Sequence, residues 1–174
     1  MAEVGAGSRG AFEDLFERYR DPVWRFFARR LPNPGRAEEL VQDVFLAILQ
    51  NRVRYEPRAP FRAYLFGIAW NALLAEKRTS ARAQENPIAT DVADSRGGPD
   101  ASLWVRRALA SLPNEQRELV MLREYEGLTY EEIAALLRVP LNTVRSRLFR
   151  ARMELREVLS REGPVEPKVS YESR

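Results

Sequence analysis

The stretch from Leu128 to Arg156 limits what this chain can fold into more than any other. Thr129 followed three residues later by Glu132 is a capping box, in which each side chain takes a backbone N–H of the other, so a helix is expected to start there. Ile133, Ala134 and Leu137 give that helix one apolar face. Pro140 disfavours a helical Val139, so the helix should stop near Arg138. Asn142 then offers its side-chain oxygen as the cap of a second helix. Two short helices joined by a tight turn make a helix-turn-helix. At about 100° per residue, Val144, Leu148, Ala151, Leu155 and Leu159 fall on one side of the second helix, the side to be buried. Ser146, Phe149, Arg150 and Met153 fall opposite, flanked by Thr143 and Arg145. From Arg138 to Arg156 there are six arginines against one acid, Glu154. A helix that only caps a bundle usually mixes its signs. One that shows solvent arginine, serine, threonine and a bare aromatic matches the helices that read the major groove of DNA.

The remaining residues narrow the chemistry. With no cysteine and no histidine in 174 residues, disulfides, thiol nucleophiles, imidazole bases and nearly all zinc sites are excluded. The serines have no base beside them, so no catalytic constellation is found and the chain is not expected to be an enzyme. No cofactor or metal is implied. The N-terminus lacks a basic region followed by an apolar run, and no apolar run approaches a membrane span, so a cytoplasmic protein without membrane insertion is expected. Of the 28 basic residues only Lys77 and Lys168 are lysine. Arginine favours planar, bidentate contacts to phosphate and guanine, although a GC-rich genome gives the same bias.

The N-terminal half reads as helices. Phe12, Leu15, Phe16, Tyr19, Val23, Phe26 and Phe27 form one stripe between Ser8 and Leu31, with Pro22 as a kink or as the first turn of a new helix. After the turn Leu31-Pro-Asn-Pro-Gly35, a helix over 36–52 turns Leu40, Val41, Val44, Phe45 and Ile48 inward and Glu38, Glu39, Gln42 and Asp43 outward. A basic loop holding Tyr55, Arg58 and Pro60 leads to a helix over 61–78. There Phe61, Tyr64, Phe66, Ile68, Trp70 and Leu73 wrap almost the whole circumference. One helix of a small domain cannot bury all of them, so some aromatics should be exposed. Beside Arg54, Arg58, Arg62, Lys77 and Arg78 they would make a platform for unpaired bases. Residues 79–102 have no periodicity and include Pro87, Gly97, Gly98 and Pro99, which marks a flexible linker. Asp100 should cap a helix through Leu112, and another should run from Asn114 to Tyr125 with Gly127 as its stop. The expected fold is all-α: a helical domain over 10–78, a linker over 79–102, a second helical domain with the helix-turn-helix over 103–160, and a disordered tail over 161–174.

Three segments in this order, Glu38-Glu-Leu-Val-Gln-Asp-Val-Phe, Phe61-Arg-Ala-Tyr-Leu-Phe-Gly-Ile-Ala-Trp-Asn, and Glu126-Gly-Leu-Thr-Tyr-Glu-Glu-Ile-Ala with Thr143-Val-Arg-Ser-Arg-Leu-Phe-Arg-Ala-Arg, carry a resemblance. The chain resembles a bacterial RNA polymerase sigma factor of the small, extracytoplasmic-function (ECF) type over roughly Ala11 to Leu159. The resemblance implies that Glu39, Gln42 and Asp43 dock on the clamp helices of the polymerase β′ subunit. It implies that Tyr55, Arg58 and Asn71 meet the minus-ten element, where a base is flipped out. Thr143, Arg145, Ser146, Phe149 and Arg150 match the readers of the minus-thirty-five element, the same face that helical periodicity selects. The implied partners are core RNA polymerase, through the β′ clamp helices and the β flap, promoter DNA, and an anti-sigma factor. Three positions depart from the family pattern: Arg138 stands where glycine is usual, Tyr55 where phenylalanine is common, and Arg36 where an acid is common.

The expected function is therefore to bring core polymerase to specific promoters and to help melt the start region. Two rivals stand beside it. A helix-turn-helix regulator would act as a dimer on duplex DNA without polymerase. A sigma mimic would bind core without supporting promoter activity.

Overall fold

The computed structural model describes residues 4, 7–56, 60–83 and 99–162. Among them are seven α-helices, one short 3-10 turn and no strand, so the structure is all-α: α1 (Arg9–Ala28), α2 (Pro34–Gln50), the 3-10 turn Arg52–Arg54, α3 (Phe61–Ala83), α4 (Pro99–Ser111), α5 (Asn114–Glu124), α6 (Tyr130–Leu137) and α7 (Leu141–Glu162). No described helix is long and apolar enough to cross a membrane.

Local chemistry sets most of the ends. The Ser8 hydroxyl accepts the Ala11 N–H at the start of α1 (3.3 Å). Pro22 lies inside α1 without ending it, so the stripe is one helix rather than two. Asn33 caps α2 by accepting the Gly35 N–H (2.9 Å), and Pro34, which has no N–H to leave unpaired, takes the first position. That cap starts α2 two residues ahead of the expected Arg36. At the turn between α4 and α5, Arg117 donates to the carbonyls of Leu109, Ala110 and Leu112, filling acceptors that the end of α4 leaves open. Gly127 closes α5 with φ +64°, a left-handed conformation that side chains resist.

Helices α1, α2 and α3 pack around Phe26, Phe27, Val44, Phe45, Ile48, Leu65, Phe66 and Leu73, all buried. Their rings meet edge to face or tilted, Phe16 on Phe45 at 4.8 Å and Phe26 on Phe66 at 5.6 Å. Helices α4, α5 and α6 each pack on α7, around Leu119, Leu122, Leu128, Ile133, Val144, Leu148 and Ala151.

Three expectations need correction. Helix α3 runs five residues past Arg78, and α4 begins at Pro99, so the segment 79–102 is helical at both ends. Residues 84–98, with the core of the expected linker, lie outside the described residues, as do Arg58 and the tail from 163 onward. The aromatic residues of α3 are less exposed than its wrapped pattern suggests: Phe66 and Trp70 are buried, Phe61 and Tyr64 half-buried. The reason is packing on neighbouring rings: Phe66 meets Phe26 of α1, Phe61 meets Tyr19 of α1, and Tyr64 meets Tyr55. Leu159 is 38% exposed, since it lies near the end of α7, beyond the last fully buried residue of its inner face, Ala151.

Candidate nucleic-acid and polymerase interfaces

The helix-turn-helix is built as its local chemistry demands. The Thr129 hydroxyl accepts the Glu132 N–H (3.2 Å), and the Glu132 carboxylate accepts the Thr129 N–H (2.8 Å), so the capping box is complete. Helix α6 ends at Arg138, whose backbone is left-handed (φ 57°, ψ 44°) and whose N–H bonds the Ala134 carbonyl. Helix α7 then begins at Leu141, one residue before the cap expected at Asn142. The Pro140 carbonyl takes the N–H groups of Thr143 and Val144 (2.9 and 3.3 Å), and Asn142 falls inside the first turn.

Val144, Leu148 and Ala151 are the buried side of α7. Arg145, Ser146, Phe149 and Arg150 face solvent and Thr143 is half-buried, so all five expected readers share the outward face. Phe149 is 67% exposed, a large apolar ring with no protein neighbour to justify it in the core. Ser146 donates back to the Thr143 carbonyl (3.1 Å). Arg145 approaches Glu131 only to 4.0 Å, an exposed pair that leaves its guanidinium available.

The six arginines of this stretch divide in a way that counting them does not show. Arg147 pairs with Glu115 of α5 (2.8 Å), while Arg152 pairs with Glu124 (2.9 Å) and donates to the Tyr130 hydroxyl (2.8 Å). These two hold α7 on its own helices. Arg138, Arg145, Arg150 and Arg156 keep exposed side chains, Arg145 with no more than the 4.0 Å approach to Glu131.

A second surface lies at the start of α3. Tyr55 is half-buried, with its ring edge-on to Tyr64 (4.8 Å) and Phe61 (6.4 Å), and Phe61 in turn meets Tyr19 (5.3 Å). Burial pushes the Tyr64 hydroxyl above the ordinary tyrosine range. Asn71 is exposed. It follows Tyr64 by seven residues, which places it about 10 Å further along the same side of α3. Tyr55 and Asn71 thus flank one side of the helix.

A third surface is the outward face of α2, where Glu39, Gln42 and Asp43 are all exposed. Leu46, 53% exposed, continues that face by one turn and was not singled out from the sequence. Arg36 bonds both Glu39 and, at 2.7 Å, Glu76 of α3. This bridge raises the Arg36 guanidinium still further above its usual range and holds the Glu76 carboxyl below its own. Arg36 therefore locks α2 to α3 next to the acids of the outer face. A partner 40 residues away leaves no periodic trace in the sequence.

Two helical modules, the second a helix-turn-helix with an arginine-bearing outer face, define a DNA-directed transcription protein. Comparison with known proteins makes the class specific. Residues 15–83 match the family model for Sigma-70 region 2, and residues 102–155 match that for Sigma-70, region 4. The RNA polymerase sigma factor CarQ of Myxococcus xanthus is 38% identical over 176 residues, covering 98% of this chain and 99% of that protein. The ECF RNA polymerase sigma-E factor of Escherichia coli K12 is 32% identical over 169 residues, covering 87% and 88%. Among solved structures, CnrH in complex with the cytosolic domain of CnrY superposes with a TM-score of 0.67 at 25% identity, over 92% of this chain and 95% of that one. The sigma factor RpoE in complex with the anti-sigma factor NepR, from Bartonella quintana, gives 0.68 at 27% identity, over 86% and 99%. The chain belongs to the ECF RNA polymerase sigma factors, which are transcription initiation factors and not enzymes.

Proposed function

We propose that this protein binds core RNA polymerase in the cytoplasm, directs it to specific promoters and assists melting of the start region. In this reading Glu39, Gln42 and Asp43, joined by Leu46, dock on the β′ clamp helices, and the C-terminal helices meet the β flap. Thr143, Arg145, Ser146, Phe149 and Arg150 read the minus-thirty-five element in the major groove. Tyr55 and Asn71, with Arg58, hold unpaired bases of the minus-ten element. The domains that do this are residues 10–78 and 103–160. The observation that carries the reading is the outer face of α7, where Arg145, Arg150 and a bare phenylalanine are exposed, Arg145 only loosely paired with Glu131, while Arg147 and Arg152 pin the helix beneath them. An arginine that can bond guanine O6 and N7 together, beside an apolar ring able to meet a thymine methyl, is the side-chain set of major-groove recognition. The solved complexes of CnrH with CnrY and of RpoE with NepR support a further partner of the same kind, an anti-sigma factor.

Run-off transcription tests the proposal. Purified core polymerase is incubated with a library of promoter fragments from the protein's own genome, with and without this protein. Discrete transcripts that depend on the protein are expected. Binding to core without such transcripts on any fragment would reject it.

A further inference from the structure

Arg36 stands in the first turn of α2, three residues after the Asn33 cap, where a cation works against the helix dipole. It is also one of the three positions at which this chain departs from the family pattern. Two carboxylates hold it there. Its Nη2 donates to Glu76 Oε2 of α3 (2.7 Å), and its Nη1 donates to Glu39 Oε2, three residues further along α2. The two acids differ in what remains to them. The Glu76 side chain is 14% exposed, and its other oxygen, Oε1, accepts the Ser80 hydroxyl (3.3 Å), so both of its oxygens are engaged. The Glu39 side chain is 64% exposed, and among the described residues only its Oε2 is bonded. Oε1 keeps its capacity to accept.

The cluster sets one cation between two acids, so Glu76 offsets the charge of Arg36 and the charge of Glu39 survives. The hydrogen bond from Arg36 keeps the Glu76 carboxyl below its usual range and therefore ionised. A guanidinium suits the task, because its planar fork takes two carboxylates in fixed directions where an ammonium is a point charge. Glu39, Gln42, Asp43 and Leu46 follow one another at three- and four-residue spacings along the exposed side of α2, and Glu39 is the end of that row. A long exposed side chain loses rotamer freedom when a partner grips it, which costs about two- to tenfold in affinity for each such side chain. Glu39, held by one oxygen, has lost that freedom before any partner arrives.

We propose that Arg36 is a positioning residue for docking on core polymerase: anchored on Glu76, it holds the Glu39 carboxylate so that Oε1 is presented to a basic side chain of the β′ clamp helices. The inference rests on the proposed reading that the outer face of α2 docks there. Arg36 acts through Glu39 and not by its own contact with the partner. Repulsion between Arg36 and the partner's cation works the other way. Glu76 cancels most of that repulsion, and at physiological ionic strength exposed charges more than about 8 Å apart are largely screened. Positioning therefore prevails, and removing Arg36 weakens docking although it makes the face more acidic.

A double-mutant cycle tests this. The full chain has no native cysteine, so a fluorophore on Glu154→Cys of α7, an exposed position, reads titration with purified core polymerase. Arg36→Ala should weaken binding about fivefold, within the range for one ordered side chain. In a Glu39→Ala background, where the group it positions is gone, the same change should cost less than about 1.5-fold. Arg36→Lys keeps a cation beside Glu76 but lacks the fork, so a loss of about threefold is expected, again vanishing with Glu39→Ala. It carries the cycle if Arg36→Ala loosens α2 from α3. Thermal melts of every variant fix a titration temperature at which all are folded. Equal losses with and without the Glu39 carboxylate would make Arg36 a helix clamp only and overturn the proposal. So would unchanged or tighter binding by Arg36→Ala. In either case a loss from Glu39→Ala alone would keep the docking reading. Unchanged binding by Glu39→Ala would remove that reading and the positioning role together.

Discussion

Replacing Arg138 by glycine should stabilise the protein, because Arg138 is the one non-glycine residue with positive φ among those described (57°). A side chain in the left-handed region costs about 1–2 kcal/mol through the approach of Cβ to the following carbonyl. Glycine removes that cost but brings greater freedom to the unfolded chain, which takes back about 0.5–1 kcal/mol. The backbone N–H bond from this position to the Ala134 carbonyl survives the change, and the side chain is exposed, so no packing is lost. The balance is a gain of about 0.5–1 kcal/mol, or about 1–4 °C in Tm for a chain of this length. Urea denaturation of both proteins at fixed pH measures it, with the slope unchanged if only the native turn is affected. Arg138→Ala is the control, since it removes the guanidinium from an arginine-dense segment but keeps the Cβ. A lower midpoint for Arg138→Gly would refute the strain argument. Equal gains for glycine and alanine would assign the effect to charge repulsion instead.

Arg145→Ala and Arg150→Ala should each reduce transcription about tenfold or more on promoters carrying the native upstream element, since a bidentate guanine contact discriminates by about 1–3 kcal/mol. Both side chains are exposed, so the melting curves should hardly move; unchanged transcription in both variants would remove this face from recognition. Tyr55→Ala and Asn71→Ala should slow promoter opening more than initial binding, because stacking holds an unpaired base by about 1–3 kcal/mol. A template pre-melted across the minus-ten region should recover part of the loss, and equal defects on duplex and pre-melted templates would place these residues outside the melting step. Glu39→Lys combined with Asp43→Lys should weaken binding to core about tenfold or more by placing like charges across the interface. Fluorescence titration of labelled protein with core reads this directly, and unaltered affinity would move the docking site off α2.

What the sequence shows plainly is what depends on near neighbours. The capping box of Thr129 and Glu132, the stop at Pro140 and the buried set Val144, Leu148 and Ala151 all lie within about two dozen residues, where helical spacing and proline geometry act alone. The outer face of α7 was legible for the same reason. Asn142 was misplaced as a cap by two residues, a shift that proline at the preceding turn makes easy, because the Pro140 carbonyl can itself take the first N–H groups. The burial of Phe66 and Trp70 was not legible, since it depends on tertiary packing such as that of Phe66 on Phe26 of α1. Nor were the roles of Arg30, Arg36, Arg147 and Arg152, each of which meets an acid on a separate helix, Glu118 in the case of Arg30. Composition treats all arginines alike; only tertiary structure separates those that hold the fold from those that face solvent.

The central claim is that two separate DNA-reading surfaces act together only when core polymerase holds them. Fluorescence anisotropy of a labelled promoter duplex tests it, with this protein alone, core alone, and both, across a salt series. The account predicts weak, strongly salt-dependent binding by the protein alone, dominated by phosphate contacts. It predicts tight binding that discriminates promoter from scrambled sequence only when both are present. Nanomolar, sequence-specific binding by the protein without core would contradict it, and would identify a self-sufficient helix-turn-helix regulator instead.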